Sequence, residues 1–428
     1  MLEDRWRECV ATHANEIALH ETASGRSWTF RQLADAADSE PAPPSGSEPI
    51  LFPSGHGVEF ILTLLRAWRA GRPVCPVESG QLVPELPAPP GSIVHLKTTS
   101  GTTGRPRCIA FTASQLAADA DAIVSTMGLS PALPNLGVIS LAHSYGFSNL
   151  VLPLLLHGIP LILAPSPLPE MVVSSAGVLG STRITLPAVP ALWRSWHEAG
   201  AIPDTVGIAI SAGAPLPLPL EAAVFQERGL RIHNFLGASE CGGIAYDSSP
   251  YPRTDSRFVG VALHGVRLAR SEDGCLEVRS PAVGEGYWPE PEPQLTDGRY
   301  RSTDLVELGP DHGLFLLGRA DDRIHVAGRK ITPESVEAVL RTHPGVKECI
   351  VFGIPAREQR GESIVAVIES DGSTDADSLR AFALERLPAW QVPRLWRFLD
   401  SLPVNARGKR SRAQWRQQLF PESDPKRS

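Results

Sequence analysis

The chain has 428 residues, 42% of them hydrophobic, with a net charge of −7 and an isoelectric point near 6.0. This length and composition fit two or three globular domains with a sizeable core. The acidic balance argues against a general nucleic-acid binder, which would carry a basic face.

The sequence shows no cysteine spacing typical of a metal site, and we expect no targeting signal. The six cysteines include no C-x-x-C pair, and residues 1–4 do not start a signal peptide. We therefore expect reduced thiols and a cytoplasmic location. The most apolar run, residues 150–165, is interrupted by Pro153 and Pro160 and is too short to span a bilayer, so no membrane span is expected.

The first hundred residues predict helices and strands separated by proline-rich connectors. Residues 3–33 predict a short helix, a strand and the start of a second helix, before a connector at 38–49 and a buried strand at 50–52. A helix follows Gly57 because apolar residues recur at helical spacing, at Val58, Ile61, Leu62, Leu65 and Trp68. Gly71 ends this helix before a strand near Val74, and a second connector at 82–91 leads into a strand at 93–96.

Residues 96–107 predict a phosphate-binding loop with the sequence LKTTSGTTGRPR. Glycine permits close backbone approach, hydroxyls donate hydrogen bonds, and successive amides can form an anion-binding nest. The stretch is not a G-x-x-x-x-G-K-[ST] loop. From composition alone a flexible linker is the alternative. Its position directly after a strand is the one expected in an α/β sheet.

The middle of the chain predicts repeated strand and helix units. Helices are expected at 114–127, 150–156 and 188–200, and strands at 135–141, 161–163, 182–186 and 206–210. A polar and aromatic cluster, His143, Tyr145 and Phe147, follows the first of these strands. Such repeats imply a parallel sheet covered by helices. Short strands at 267–304 then suggest a small β-rich subdomain.

The last hundred residues predict a compact α+β unit. Thr332 and Pro333 are a typical N-cap and first residue of a helix, which runs through Leu340. Strands are expected at 349–354, 363–369 and 394–398, with a helix at 376–387 and a short helix near Trp415. The connecting loop carries Lys409, one of only five lysines among 40 basic residues, so its placement is informative.

Five short motifs follow one another: TSGTTG at 99–104, LGASE at 236–240, YRSTDL at 300–305, GRADD at 318–322 and GK at 408–409. Their order and approximate spacing resemble the adenylate-forming superfamily, which includes acyl-CoA synthetases, adenylation domains of peptide synthetases and luciferases. The resemblance implies an α/β N-terminal domain, 1–320, with parallel sheets and a small β-rich subdomain. It also implies a small mobile α+β domain, 321–428, with the active site between the two.

The resemblance implies a set of ATP and magnesium ligands. Ser239 would reach the α-phosphate, and Glu240 would ligate Mg²⁺, which prefers carboxylate and water oxygens. Asp304 would bind the ribose hydroxyls, supported by Arg319. The β- and γ-phosphates would be held by Thr99, Ser100, Gly101, Thr102, Thr103, Gly104 and Arg107, and adenine would lie along Gly213, Ala214 and Pro215.

The resemblance also implies the moving parts and the acid pocket. Lys409 would reach the substrate carboxylate and the α-phosphate, and Asp321 would be the hinge about which the C-terminal domain rotates before thioester formation. The acid would lie beside His143, Tyr145, Phe147, Gly237 and Gly242.

Simpler interpretations of these residues stay open. Glu240 can be a solvated charge, Asp304 a turn former, and Lys409 part of a solvated basic segment. His143 is equally well read as a structural hydrogen bonder and as a pocket residue. Cys108 and Cys241 are read as small fillers.

Several positions depart from the family pattern. Leu236 stands where an aromatic residue usually stacks on adenine, Thr303 replaces a glycine, and Arg107 and Cys108 replace a common Lys-Gly pair. The phosphate loop also arrives by residue 97, earlier than usual, so the first subdomain must be abbreviated.

The expected function is ATP-dependent activation of a fatty or aromatic carboxylic acid, followed by transfer to the thiol of CoA or of a phosphopantetheine on a separate acyl carrier protein. No Asp or Glu occurs from Ala122 through Pro169, which disfavours α-amino acids because a buried ammonium without a partner is costly. The alternatives are a ligase with an amine or hydroxyl acceptor and a nucleotide-binding scaffold without turnover.

Overall fold

A computed structural model describes residues 1–39, 49–99, 107–178, 180–326, 328–356, 361–370, 372–403 and 411–421. Contacts divide the chain into two compact units. The first contains residues 1–269, 277–302 and 309–314, and the second contains 270–276, 303–308 and the chain from 315 onward. The fold confirms the predicted α/β class.

Twelve α-helices occur in the described residues: α1 Leu2–His13, α2 Phe30–Ser39, α3 Val58–Arg69, α4 Ala113–Met127, α5 Ser144–Gly146, α6 Leu152–His157, α7 Pro169–Gly177, α8 Pro190–Glu198, α9 Leu218–Arg228, α10 Pro333–Leu340, α11 Ala376–Leu384 and α12 Arg412–Leu419. A π-helical segment, Phe147–Val151, joins α5 to α6, and short 3₁₀ turns occupy Pro310–His312 and Ala389–Gln391.

The strands alternate with these helices in the first half of the chain and then follow one another directly. They are β1 Ile17–Glu21, β2 Arg26–Thr29, β3 Ile93–Thr99, β4 Arg107–Thr112, β5 Asn135–Gly137, β6 Leu161–Leu163, β7 Ile184–Ala188, β8 Val206–Ser211, β9 Ile232–Ala238, β10 Gly242–Tyr246 and β11 Phe258–Ala262. The remainder are β12 Arg267–Arg270, β13 Cys275–Arg279, β14 Gly286–Trp288, β15 Leu295–Thr296, β16 Arg299–Leu308, β17 Gly313–Arg319, β18 Ile324–Val326, β19 Arg329–Ile331, β20 Glu348–Pro355, β21 Glu362–Glu369 and β22 Leu395–Leu399.

A twisted sheet forms the centre of the first unit. Strands β9, β8, β7, β5, β6 and β1 lie side by side in that order and are parallel. β2 pairs antiparallel with β1, and β10 and β11 continue antiparallel beyond β9. In a parallel sheet the carboxyl ends of the strands meet at one edge, where ligands bind. The His143 cluster follows β5 at this edge, and residues 213–215 follow β8.

Two tryptophans of α8 fasten this helix to the sheet. Trp193 and Trp196 are fully buried, and their rings pack edge to face with centroids 5.2 Å apart. Their indole N–H groups donate to the carbonyls of Ile210, at 3.1 Å, and Pro167, at 2.8 Å. Each buried indole therefore satisfies its only donor, as an apolar core requires.

The strands on either side of the phosphate loop lie outside the parallel sheet, in a sheet that the sequence does not predict. Its flanking strands β3 and β4 pair antiparallel, with Thr99 opposite Arg107, and β14 pairs with β4 to complete a separate three-stranded sheet. In the chain the phosphate-loop residues therefore stand between two paired antiparallel strands. The sequence places Arg107 and Cys108 at the end of the phosphate loop, whereas in the structure they begin β4.

Two predicted strands are shorter than expected. The stretch 135–141 is a strand only over Asn135–Gly137, because the chain then turns toward the His143 cluster. Residues 50–52 form no strand but a single bridge between Leu51 and Val74. The helix predicted after Gly57 is confirmed as α3, and Gly71 just beyond it adopts a positive φ of 63°.

The second unit has its own core beneath β20, β21 and β22. β20 and β21 are antiparallel, and β22 joins β21 in parallel. Arg412, at the start of α12, binds carboxylates of Asp322, Glu334 and Glu337 at 2.7 to 2.8 Å. This cluster fixes the position where the chain leaves the Lys409 segment. None of the described helices combines the length and apolar character needed to cross a membrane.

Candidate active site

Glu240 lies in a three-residue loop at the tip of the hairpin formed by β9 and β10. Gly242 pairs with Ala238 across the hairpin, so residues 239–241 form the loop itself. The carbonyl of Glu240 accepts a hydrogen bond from Gly284 N at 2.9 Å, and its carboxylate accepts one from Tyr287 Oη at 3.0 Å. Backbone and side chain are therefore both held, and the half-buried carboxylate has a fixed position.

Tyr287 was not predicted from the sequence. It lies on β14 opposite Ile109 of β4, the strand that follows the phosphate loop. Burial and the negative charge of Glu240 raise the pKa of Tyr287, so the hydroxyl remains a hydrogen-bond donor. The side chain thus connects the Glu240 loop to the sheet that carries the phosphate loop.

Ser239 contacts Ser144, the residue that follows His143 in the chain. Ser144 Oγ donates to Ser239 Oγ at 2.9 Å. His143 accepts a hydrogen bond from Tyr145 N through Nδ1, at 3.3 Å, and thereby caps α5. The ring therefore has the structural role that the sequence left open, which is compatible with a further role in the acid pocket.

The two aromatic residues of this cluster lie in different surroundings. Tyr145 packs against Phe235, and its hydroxyl lies 3.5 Å from the carbonyls of Ala188 and Ile210, at the carboxyl ends of β7 and β8. Phe147 is 1% exposed and stacks on His95 with ring centroids 4.3 Å apart. Of the two, Tyr145 therefore lies at the ligand edge of the sheet, and Phe147 belongs to the core.

The glycines predicted to border the acid also shape the hairpin. Gly237 pairs with Gly243 across it, and a Cβ on Gly237 would lie 3.0 Å from the carbonyl of Gly242. Gly242 has a φ of 68°. Beyond β8, Gly213, Ala214 and Pro215 form the predicted adenine segment, and Gly213 and Pro215 are exposed there.

A buried ion pair lies near this hairpin. Lys97 Nζ on β3 is 3.8 Å from Asp119 Oδ2 on α4, and the two side chains are 3% and 2% exposed. Burial lowers the pKa of Lys97, while the charges of Asp119, Cys241 and Glu240 act in the opposite direction. The sequence did not predict this pair, because Lys97 and Asp119 are 22 residues apart and lie in no common motif.

The cysteines beside the motifs are buried thiols. Cys241 is wholly buried, and burial, with the nearby charges of Glu240 and Asp119, raises its pKa well above the ordinary value. Cys108 packs in a small core cluster together with Cys75. Because a nucleophilic cysteine needs an accessible thiolate, Cys241 acts as a small core residue.

In the second unit, Arg319 is held by two neighbours. Its guanidinium donates to Thr303 Oγ1 at 2.7 Å and to Asp321 Oδ1 at 3.1 Å. Burial alone would lower the pKa of Arg319, but the carboxylates of Asp321 and Asp304 more than compensate and raise it. Thr303, which departs from the family pattern, thus contributes a hydroxyl that orients Arg319 beside Asp304.

The backbone conformation at residue 318 favours glycine directly before Arg319. Its φ is 131°, and a Cβ at this position would lie 2.4 Å from Glu334 Oε2. A side chain at this position would therefore displace the Glu334 carboxylate and strain the backbone, which has a positive φ. The predicted hinge residue Asp321 follows this turn and has an exposed side chain.

Part of the predicted site lies outside the described residues. This applies to Ser100, Gly101, Thr102, Thr103 and Gly104 of the phosphate loop and to Lys409. The backbones of Thr99 and Arg107 are described as the paired ends of β3 and β4, and their side chains are not. Their ligand roles stay predictions.

The described residues are compatible with a magnesium ion whose ligands come partly from the protein and partly from a nucleotide. Within the described ranges, no three or more His, Cys, Asp or Glu residues cluster into a metal cage. Mg²⁺ in nucleotide enzymes is held through one or two carboxylates plus phosphate and water oxygens, and Glu240 supplies one fixed carboxylate.

Family models match both parts of the chain. The model for the AMP-binding enzyme matches residues 49–288, more than half of the chain. The model for the AMP-binding enzyme C-terminal domain matches residues 335–409. These matches contain the Glu240 hairpin in the first case and the Lys409 segment in the second.

Individual relatives agree with the family models. A probable 2-succinylbenzoate–CoA ligase of Mycobacterium tuberculosis (strain CDC 1551 / Oshkosh) is 32% identical over 350 residues, which are 76% of this chain and 85% of the relative. A feruloyl-CoA synthase of an Amycolatopsis species is 29% identical over 350 residues, 76% of this chain and 70% of the relative.

Solved structures share the fold at lower sequence identity. ATP-bound MatB from Rhodopseudomonas palustris has a TM-score of 0.84 at 19% identity, over 99% of this chain and 100% of that chain. On the extent of the family matches and of the 32% identical relative, the chain belongs to the AMP-binding family of adenylate-forming enzymes.

Proposed function

We propose that the protein is an AMP-forming acid–thiol ligase that activates a fatty or aromatic carboxylic acid with ATP and transfers the acyl group to CoA. In the first step a carboxylate oxygen attacks the α-phosphorus of ATP, and the bond to pyrophosphate breaks. In the second step the thiolate sulfur attacks the acyl carbon, and AMP leaves. Membership of the family and the CoA-ligating relatives support this reaction class.

The observation that carries the proposal is the fixed Glu240 carboxylate. Adenylate formation gathers negative charge on phosphates, and catalysis of phosphoryl transfer is mostly positioning and electrostatic stabilisation. Tyr287 and Gly284 hold Glu240 on a tight loop beside β3 and β4, which flank the phosphate-binding residues. When bound, magnesium would neutralise phosphate charge, and Glu240 would hold it.

Other residues have roles that rest on the motifs. Ser239 would contact the α-phosphate, and its hydrogen bond with Ser144 supports a fixed orientation. Asp304 and Arg319 would bind ribose, and Lys409 would bridge the substrate carboxylate and the α-phosphate. The phosphate loop would hold the departing pyrophosphate.

The substrate proposal rests on charge. An α-amino acid needs a carboxylate for its ammonium, and none occurs in residues 122–169. Asp119 lies next to this region, but it accepts hydrogen bonds from Ser148 and Gly243 and faces Lys97. We therefore propose an acid without an amino group. Aromatic acids are the first to test, because two relatives are named for feruloyl and succinylbenzoate groups.

The acceptor proposed is free CoA, because both relatives form CoA thioesters by name. A carrier-protein phosphopantetheine presents the same thiol chemistry and is the next acceptor to test. An amine acceptor would leave an amide product instead of a thioester.

The test is product analysis by mass spectrometry. The protein is incubated with MgATP and a panel of fatty, benzoic and cinnamic acids, with CoA, a phosphopantetheinylated carrier or an amine as acceptor. The proposal predicts an acyl-CoA together with AMP. Free adenylate with no thioester, or an amide formed in preference to the thioester, would contradict it.

A further inference from the structure

We propose that the buried pair Lys97 and Asp119 is a positioning device for the Glu240 loop, which it holds through Gly242 and Gly243 so that Glu240 meets MgATP in a fixed orientation. The part concerning MgATP rests on the function proposed above. The part concerning the loop stands on the contacts of the pair alone.

Asp119 binds the hairpin directly. Its Oδ1 accepts a hydrogen bond from Gly243 N at 3.0 Å, although 124 residues separate the two in sequence. The neighbouring Gly242 has a positive φ, and a Cβ there would lie 2.0 Å from Asp119 Oδ1. The carboxylate therefore fills the space that glycine leaves, and the hairpin arm after Glu240 rests on it.

The other carboxylate oxygen is bound as well. Ser148 Oγ donates to Asp119 Oδ2 at 2.6 Å, and Lys97 Nζ lies 3.5 Å from the same hydroxyl. Ser148 belongs to the π-helical segment that follows the His143 cluster. Asp119 consequently joins α4, the Glu240 hairpin and the segment below the predicted acid pocket.

Lys97 completes the arrangement from β3. Its ammonium lies 4.5 Å from the centre of the Phe111 ring and faces Asp119. β3 ends two residues later, at Thr99, where the TSGTTG motif of the phosphate loop begins. The pair thus joins the phosphate-loop strand and the Glu240 hairpin through one buried contact.

Stability alone does not account for this pair. Removing two charges from water is costly, and apolar residues of similar volume often serve a core equally well. A buried pair that fixes one geometry has a different use, because it penalises any arrangement that separates the charges. In this protein the pair favours the geometry in which Gly243, next to the Glu240 loop, is hydrogen-bonded to Asp119.

The test uses Asp119→Asn and Lys97→Met, with Glu221→Gln as matched control. Glu221, on α9, is also a buried carboxylate of the first unit, and it pairs with Arg253 and Arg231. Hydrogen–deuterium exchange is measured at residues 242 and 243, MgATP affinity by calorimetry, and global stability by urea unfolding. None of these measurements requires turnover.

Both test variants should raise exchange at Gly242 and Gly243 about tenfold relative to wild type. MgATP affinity should fall about tenfold, while the control lowers global stability without either local change. Unchanged exchange at these glycines in both variants, or an equal rise in the control, would overturn the proposal. If wild type binds no MgATP, the proposed function fails, and the exchange data still decide the positioning role.

Discussion

Tyr287 Oη donates a hydrogen bond to Glu240 Oε1 over 3.0 Å, between strand β14 and the loop of the β9–β10 hairpin. The bond holds this half-buried carboxylate in one direction. It also joins two segments that are 47 residues apart and belong to different sheets.

Replacing Tyr287 by Phe should weaken MgATP use without unfolding the protein. The ring stays in place and only the hydroxyl is lost, so the carboxylate gains freedom to turn. A hydrogen bond to a charged group contributes about 1.5 kcal/mol, which corresponds to about tenfold in the KM for MgATP. Initial rates over a magnesium titration measure this. Tyr251→Phe, at an exposed tyrosine, is the control, and an equal effect of both variants would contradict the assignment.

Lys409→Ala should remove adenylate formation and spare thioester formation. The ammonium would stabilise charge only while the carboxylate attacks the α-phosphorus, so the first half-reaction should fall at least about 100-fold. Supplying synthetic acyl adenylate and CoA isolates the second half-reaction. Lys330→Ala, at an exposed lysine of β19, is the control. Undiminished pyrophosphate exchange in Lys409→Ala would remove this residue from the catalytic set.

Asp321→Pro should have the opposite effect. Proline fixes φ and would restrict a hinge, so adenylation should persist while thioester formation slows by about tenfold or more. The ion pair between Asp321 and Arg319 is half exposed on both sides and contributes about 0–1 kcal/mol. Asp321→Asn breaks that pair but leaves the backbone free, and should preserve both half-reactions. Equal loss of both in Asp321→Pro would contradict the hinge role.

His95→Leu should make the first unit less sensitive to acid. Burial and the charge of Lys97 hold the pKa of His95 well below its ordinary value of 6.5. The unfolded chain therefore binds the proton first, and the stability present above pH 6.5 is lost as the pH falls toward the folded pKa. One such group contributes at most about 1.4 kcal/mol per pH unit.

Urea unfolding from about pH 7 to about pH 5 measures this slope. The Nδ1 atom of His95 has no hydrogen-bond partner among the described residues, so replacement by leucine loses no hydrogen bond at that atom. Identical slopes for wild type and His95→Leu would show that the protonation of His95 does not contribute.

Local patterns predicted most of the secondary structure. The apolar spacing from Val58 to Trp68 predicted α3, and Gly71 predicted where it ends. Thr332 and Pro333 predicted the start of α10. These signals need only neighbouring residues. The strand β4 was missed because its pairing with Gly286, Tyr287 and Trp288 lies far along the chain, and the preceding glycines made it resemble the end of a loop.

The sequence predicted the motif residues of the candidate site but not the residues that hold them in place. Glu240, Ser239, Asp304 and Arg319 stand in short recognisable stretches. Their partners do not, since the residue that binds Gly243 is Asp119 on a helix 124 residues earlier. Thr303 was read as a tolerated departure, and its hydroxyl in fact orients Arg319. Such contacts depend on how distant segments pack, which a single sequence does not display.

The most direct measurement is acid-dependent exchange of labelled pyrophosphate into ATP, in wild type and in Glu240→Gln. The account predicts exchange that requires one of the fatty or aromatic acids and falls at least about 100-fold in Glu240→Gln, because the amide binds magnesium poorly. Wild-type exchange rates in Glu240→Gln, or MgATP binding without exchange for any acid of the panel, would contradict it.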